Sequence, residues 1–427
     1  MPRSPTQFLI VGAGAAGLIA ARELARAGKE VTVLEARERC GGRIDPLPVE
    51  QFGYPAEGGA EFIHGEAPVT SAMLREARLS LAPVTGTRWS ARDGKLSPSG
   101  PALPHADRLR RALAELKTDL PIAEFLKKHF ADPEYGELRR TLTRMIEGYD
   151  AADPARAGTF ALRDEWMNEG LGPQRRIVEG HGALIAFLAS ACRRLGVAIH
   201  LGAVVTAIEA RGGRIAARRR DGAVHAADAA IVTVPIPLLR DIALPPDARA
   251  KAAASRDIGF GNVVKILLRF RSKWWADQGG QDLADLSFLF SDAIVPTWWA
   301  QRPAEHPVLT GWYSGPKADR VPLLAASEFM HMGLTSLAEI FRLPLERLTS
   351  ELVAATAINW GNDPFARGAY SYATPKTRQA LATLKRADGG SVFFSGEALY
   401  AGRDMGTVEA ALASGRETAH AILAAGA

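Results

Sequence analysis

Two cysteines, Cys40 and Cys192, are all the thiols that 427 residues supply. A pair so small makes no disulfide framework and no metal-ligating cluster, which fits a reducing compartment and excludes a stapled secreted scaffold. Long apolar runs are missing as well: the best uncharged stretch, residues 229 to 239, is interrupted by Pro235 and Pro237, whereas a membrane helix needs about 20 apolar residues. At the start, MPRSPTQFLIVGAG is apolar too briefly for a signal-peptide core. A strong field of one sign is also absent. The net charge is +5, and the longest basic run, Arg218 to Arg220, adjoins Asp221 and reads as a solvated hairpin face rather than a nucleic-acid patch. What remains is ordinary globular composition, 47% hydrophobic and 23% charged, with length for two or three domains. The expectation is a cytoplasmic protein with no metal and no nucleic-acid or membrane partner; a homodimer is left open.

Glycine is abundant where it matters. Phe8 to Val11 is a short β-branched run that leads into Gly12, Gly14 and Gly17, and the residues after them place Leu18, Ala21, Leu24 and Ala25 on one helical face. A strand, a glycine turn and a helix in this order let backbone N–H groups of Ala15 and Ala16 and a helix dipole meet a pyrophosphate. Val31 to Leu34 reads as a second buried strand, and Glu35 closes it 18 positions after Gly17, where a carboxylate can accept from ribose hydroxyls. Beyond it come Ala36, Arg37, Gly42 and Arg43. A nicotinamide site does not need them; they suit the longer FAD, with Arg43 directed to the pyrophosphate or the flavin end.

These residues resemble the flavin-containing amine oxidases, the family of monoamine, polyamine and L-amino-acid oxidases. The resemblance runs through five ordered blocks: LIVGAGAAGL, LEARERCGGR, EGGAEFIHG (Glu57 to Gly65), VEGHGALIAFLA (Val178 to Ala189) and FFSGEALYAGRDMGTVEAALASGR (Phe393 to Arg416). It implies an α/β fold: a Rossmann-like FAD-binding domain of the GR2 type, as in amine oxidases and p-hydroxybenzoate hydroxylase, with an inserted α+β substrate-binding domain. The FAD domain is expected at 1–85, 176–269 and 386–427, the substrate domain at 86–175 and 270–385. The resemblance further implies that Gly59, Ala60, Glu61 and Phe62 pass the isoalloxazine ring and that Val205 holds the adenine, with Pro235 and Trp360 also on the cofactor. Gly396 and Glu397 fall near the ribityl or pyrophosphate, and Gly406, Thr407 and Val408 at a helix N-terminus near the flavin C2 carbonyl. Glu57 is expected on the cofactor side.

The chemistry implied is oxidation of a neutral amine by transfer of a hydride equivalent to flavin N5, with O2 reduced to hydrogen peroxide and the imine hydrolysed. Lys265 interrupts the apolar run Val263 to Leu268 and in strand alternation points opposite to Val264 and Ile266. By resemblance it holds a water against flavin N5; the bland alternative is a lysine that snorkels to solvent. His64 is read either as a substrate contact or as a hydrogen-bonded structural histidine. Tyr370, in GNDPFARGAYSYATP, matches the first member of an aromatic cage for the amine nitrogen, and Tyr372 is expected in the core. Two departures stand out. Ala369 occupies the position of the flavin-bonding cysteine of mitochondrial monoamine oxidases, so FAD is expected to be non-covalent. Thr407 occupies the second cage position, leaving Tyr400 or a tryptophan to fill the gap.

Most of the tryptophans at 274–275, 298–299 and 312 are expected in the core. For the substrate, a small amine, a primary monoamine is preferred over a polyamine or an L-amino acid; Glu61, Asp164, Glu165 and Glu169 are acids whose placement would decide. Two other readings stay open: a desaturase or protoporphyrinogen-oxidase-like dehydrogenase of a non-amine, and a flavin-binding partner without turnover.

Overall fold

The structure is a computed structural model and describes residues 7–92, 94–98, 103–166, 172–278, 280–321, 324–386 and 390–425. Glu169 lies outside them. Five strands form a wholly parallel sheet in the order Val392–Phe394, Ala229–Val232, Gln7–Val11, Glu30–Leu34 and Ala198–His200. Such a sheet is covered on both faces, which explains why its strands read as continuous apolar runs rather than alternating ones. Phe8 and Ile10 pack with the helices Ala15–Arg26, His181–Arg194 and Val408–Ala424 on one side. Leu9 and Val11 pack with the antiparallel strands Val205–Arg211, Arg214–Arg219 and Val224–Ala227 on the other.

Close helix contact is written into two glycines. A Cβ on Gly17 would stand 2.0 Å from the backbone oxygen of Gly12, and one on Gly415 would stand 2.3 Å from that of Ala16. Neither backbone oxygen can step aside cheaply, so these positions fix the first helix against its turn and against the last helix.

A second sheet has seven strands, in the order Leu352–Asn359, Val263–Phe270, Val308–Ser314, Thr297–Ala300, Leu286–Ser291, Thr87–Arg92 and Lys95–Ser97. Its pairings are antiparallel except for Leu286–Ser291 against Thr87–Arg92. The helix Ala326–Phe341 closes one face over Trp274, Trp275 and Trp298. Strand Val263–Phe270 is a full member of this sheet, so the division expected between 269 and 270 cuts through one strand. Its even-numbered residues Val264, Ile266 and Leu268 enter the core under that helix, while Val263 and Leu267 join small clusters on the opposite face. Lys265 belongs to that opposite face.

Four helices, Ala106–Glu115, Ile122–His129, Gly136–Tyr149 and Thr159–Trp166, gather around a core of Leu109, Phe125, Phe130 and Leu142. Tyr372, 8% exposed, is part of that core. No described helix is long and apolar enough to cross a membrane.

Candidate active site

Between the two sheets lies a cavity of about 2820 Å³, larger than the roughly 300–1,000 Å³ of ordinary ligand pockets and roomy enough for a dinucleotide and a substrate together. Two helix N-termini face it. The first helix begins at Ala15 with no side chain capping it, so its first-turn N–H groups are available to an anion. The last helix begins at Val408, where the Thr407 hydroxyl accepts from Ala410 N at 3.1 Å and donates to the Asp404 carbonyl at 2.6 Å. Of the residues expected on the cofactor, Gly17 and Glu57 are not on the cavity wall; Gly17 acts by letting the helix close on Gly12.

Glu35 is buried at the end of its strand and accepts from Ala13 N at 2.7 Å and Arg37 N at 2.8 Å. Burial pushes its carboxyl above the usual range against the pull of those two bonds. Its position on the cavity edge, with Ala36, Val205 and Pro235, fits the ribose and adenine of a dinucleotide. The two arginines that follow are already engaged. Arg37 forms a bidentate pair with Asp363 at 2.6 and 2.9 Å and lies 5.6 Å from the Phe365 ring. Arg43 donates to Glu397 at 2.8 Å and to the Ala369 carbonyl at 2.6 Å, and Glu397 in turn accepts from the Ser371 hydroxyl. Any anion meeting Arg43 meets a guanidinium whose charge is shared with Glu397.

Aromatic rings form the other part of the wall. Tyr370 stacks near Trp312 with centroids 6.4 Å apart, Trp312 meets Trp299 at 5.5 Å, and Phe62 meets Trp299 at 5.5 Å and Phe288 at 5.8 Å. The Tyr370 hydroxyl donates to the Tyr149 carbonyl at 2.6 Å and the Trp312 indole N–H to the Gly148 carbonyl at 2.8 Å, so both rings are pinned to the end of one helix. Trp274, Trp275 and Trp298 are core, while Trp299 and Trp312 line the cavity together with Tyr400 and Thr407. The ring standing beside Tyr370 is thus Trp312, from the seven-stranded sheet.

Charge is concentrated where Lys265 reaches the wall. Its Nζ donates to Glu61 Oε2 at 2.5 Å and to the Gly59 carbonyl at 3.1 Å. Glu61 Oε1 accepts from Arg176 and, at 3.0 Å, from the Trp299 indole N–H. Burial alone would raise the Glu61 carboxyl, but Arg176 and Lys265 outweigh it and hold the group down at about 2. His64 has its Nδ1 3.2 Å from the Tyr149 hydroxyl, and burial lowers its imidazole to about 4, leaving it neutral at ordinary pH. Glu57 is not among the residues lining the cavity. It accepts from His181 N at the start of helix His181–Arg194, so its place is the end of a helix rather than the cofactor side.

Asp150 and Glu165 both line the cavity, as do Tyr149 and Tyr370; burial pushes both carboxyls up, and the charge of Glu165 adds to the effect on Asp150. Asp164 also lines the cavity. Sequence reasoning missed Asp150, Arg176 and Asp363. Asp150 sits in GYDAADPARAG, which reads only as a turn, and nothing local marks Arg176 off from Arg175.

The family model for flavin containing amine oxidoreductases matches residues 15–423. The chain belongs to that family. It is a flavoprotein with FAD as cofactor, and an oxidoreductase acting on CH–NH groups. Polyamine oxidase 5 of Oryza sativa subsp. japonica is 27% identical, over 96% of this chain and 86% of its own length. Lysine-specific histone demethylase 1 homolog 3 of Arabidopsis thaliana is 26% identical over 92% of this chain, which spans only 28% of that protein. Among solved structures, putrescine oxidase bound to putrescine superposes with a TM-score of 0.80 at 21% identity, covering 98% of this chain and 99% of that one. Cyclohexylamine oxidase from Brevibacterium oxydans IH-35A gives 0.80 at 19% identity, covering 99% of both chains. This FAD-dependent amine oxidase therefore shares its architecture with enzymes named for different amines.

Proposed function

We propose that this oxidase deaminates a primary amine whose far end carries a second positive charge, a diamine in preference to a simple monoamine. The reaction is RCH2NH2 + O2 + H2O → RCHO + NH3 + H2O2. Bound FAD supplies the two-electron acceptor; the chain binds, orients and desolvates the amine. Phe62, Trp299, Trp312 and Tyr370 give the carbon chain an apolar slot. Lys265 and Arg176 carry one positive charge more than Glu61 cancels, which disfavours an ammonium at that end and admits the reacting nitrogen as the neutral amine.

The observation that carries the preference is the Asp150–Glu165 pair. These two cavity carboxyls, which burial pushes toward the neutral form, have no ion-pair partner among the described residues, and a substrate ammonium near them would supply the counter-charge. The aromatic slot by itself supports a second reading, the apolar primary monoamine. Peroxide release from 1,4-diaminobutane and from butylamine separates the two: the first reading requires a higher kcat/KM for the diamine, and equal values would favour the second. Ala369 offers no thiol to the flavin, which supports non-covalent FAD; acid precipitation of the protein should leave all flavin in the supernatant.

A further inference from the structure

We infer that Glu61 is a positioning residue for Lys265, and that Glu61 rather than the lysine's own strand decides where that ammonium stands. The inference rests on amine oxidation being the activity of this cavity. Lys265 is 1% exposed, on a strand whose neighbours pack against hydrocarbon. A four-carbon stem with a buried ammonium has no fixed geometry of its own, and without a counter-ion its charge would be expensive to keep there. Glu61 supplies both the counter-ion and the geometry.

The carboxylate is itself held on three sides. Lys265 occupies Oε2, while Arg176 and the Trp299 indole N–H occupy Oε1. Arg176 is fixed in turn: its guanidinium donates to Gln301 Oε1 at 3.2 Å and to the Ala300 carbonyl at 3.3 Å, and lies 4.4 Å from the Phe62 ring. Side chains from strands Gln174–Ile177, Val263–Phe270 and Thr297–Ala300 thus converge on one acid.

The consequence is directional. An ammonium has three donors, and among the described residues two of those of Lys265 are taken, by Glu61 Oε2 and the Gly59 carbonyl. Lys265 lines the cavity, so the third N–H is left for a water or a substrate atom there. Glu61 aims that donor.

Glu61→Gln in the FAD-loaded enzyme keeps the shape and removes the charge. It should lower kcat by about 10²-fold, the scale of an ångström-sized misplacement, with KM for the amine little changed, and Glu61→Asp should recover part of the loss. In a Lys265→Met background the same Glu61→Gln change should cost nothing further, because the residue acts through the lysine. An equal, full loss in both backgrounds, or no loss in either, overturns the inference.

A second measurement does not depend on turnover. With acetic anhydride and mass-spectrometric mapping, Lys265 should acetylate several-fold faster in Glu61→Gln than in the parent protein, and equal rates would overturn the inference even if no amine were oxidised. Should Glu61→Gln fail to fold, Arg176→Met, which removes the anchor but not the acid, is expected to give the same kcat loss and faster acetylation; unchanged values would likewise overturn it.

Discussion

Glu57 and Glu61 stand four residues apart on one segment, yet their surroundings drive them in opposite directions. Glu57 is pushed up to about 8 by burial, which its bond from His181 N only partly offsets; Glu61 is drawn down to about 2 by Arg176 and Lys265. The signs of their contributions to stability follow. The folded state holds a proton on Glu57 that the unfolded chain gives up near 4.5, so this stability is complete below pH 4.5 and is lost as pH rises through about 8. For Glu61 the contribution is present above 4.5 and is lost as pH falls toward 2. Glu57→Gln, whose amide oxygen can still accept from His181 N, should therefore flatten the fall in stability between pH 4.5 and 8, measured by urea unfolding of the FAD-loaded protein. A slope identical to that of the parent would mean another group carries it.

Discrimination between amines also belongs to single residues. Asp150→Asn with Glu165→Gln should raise KM for a diamine by about tenfold or more, since a hydrogen bond to a charged group is worth about 1.5–3 kcal/mol, while KM for butylamine stays close to that of the parent. If both substrates lose equally, the pair shapes the wall without reading charge. Of these acids the sequence exposed Glu165 as a candidate and hid Asp150. A carboxylate in a turn-rich stretch looks solvated until the fold encloses it.

At the scale of elements, legibility follows sequence distance. The strand, glycine turn and first helix were readable because the residues that need one another are a few positions apart, and alternation along Val263–Phe270 placed Lys265 on the correct face. The partners of Arg37 and Arg43 were not readable: each bonds to a residue 326 positions away, Asp363 and Ala369. Arg43 looks free for the pyrophosphate, and Arg37 for the cofactor side, when only their own segment is in view. Gly17 tests the local part. Gly17→Ala puts a Cβ where Gly12 O stands at 2.0 Å, backbone against backbone, so the helix N-terminus must shift from its anion-binding position. The purified variant should contain little flavin by visible absorbance, and full FAD occupancy would show that the turn can adapt.

Across the whole molecule, the cavity is bounded by two sheets that the chain crosses between repeatedly, and the segment from Gly361 to Gly368 ties them over the cofactor end. It leaves the seven-stranded sheet after Asn359, and its Asp363 and Arg367 pair with Arg37 at 2.6 Å and Asp241 at 2.5 Å, both on segments that follow strands of the five-stranded sheet. Pro364, Phe365 and Arg367 line the cavity between those pairs. A non-covalent cofactor stabilises the fold by binding only the folded state, so what governs its escape also governs the stability of the loaded protein. Asp363→Asn keeps the size of the side chain and removes the charge that Arg37 grips from two nitrogens. Loss of one charge-assisted contact of about 1.5–3 kcal/mol should speed FAD dissociation by about tenfold, followed by the rise of flavin fluorescence after dilution. The melting temperatures of loaded and flavin-free protein should move closer together, while kcat at saturating FAD stays near that of the parent. An unchanged dissociation rate would mean that the grip on FAD comes from the two helix N-termini and Glu35 alone, and that the crossing segment serves only to join the sheets.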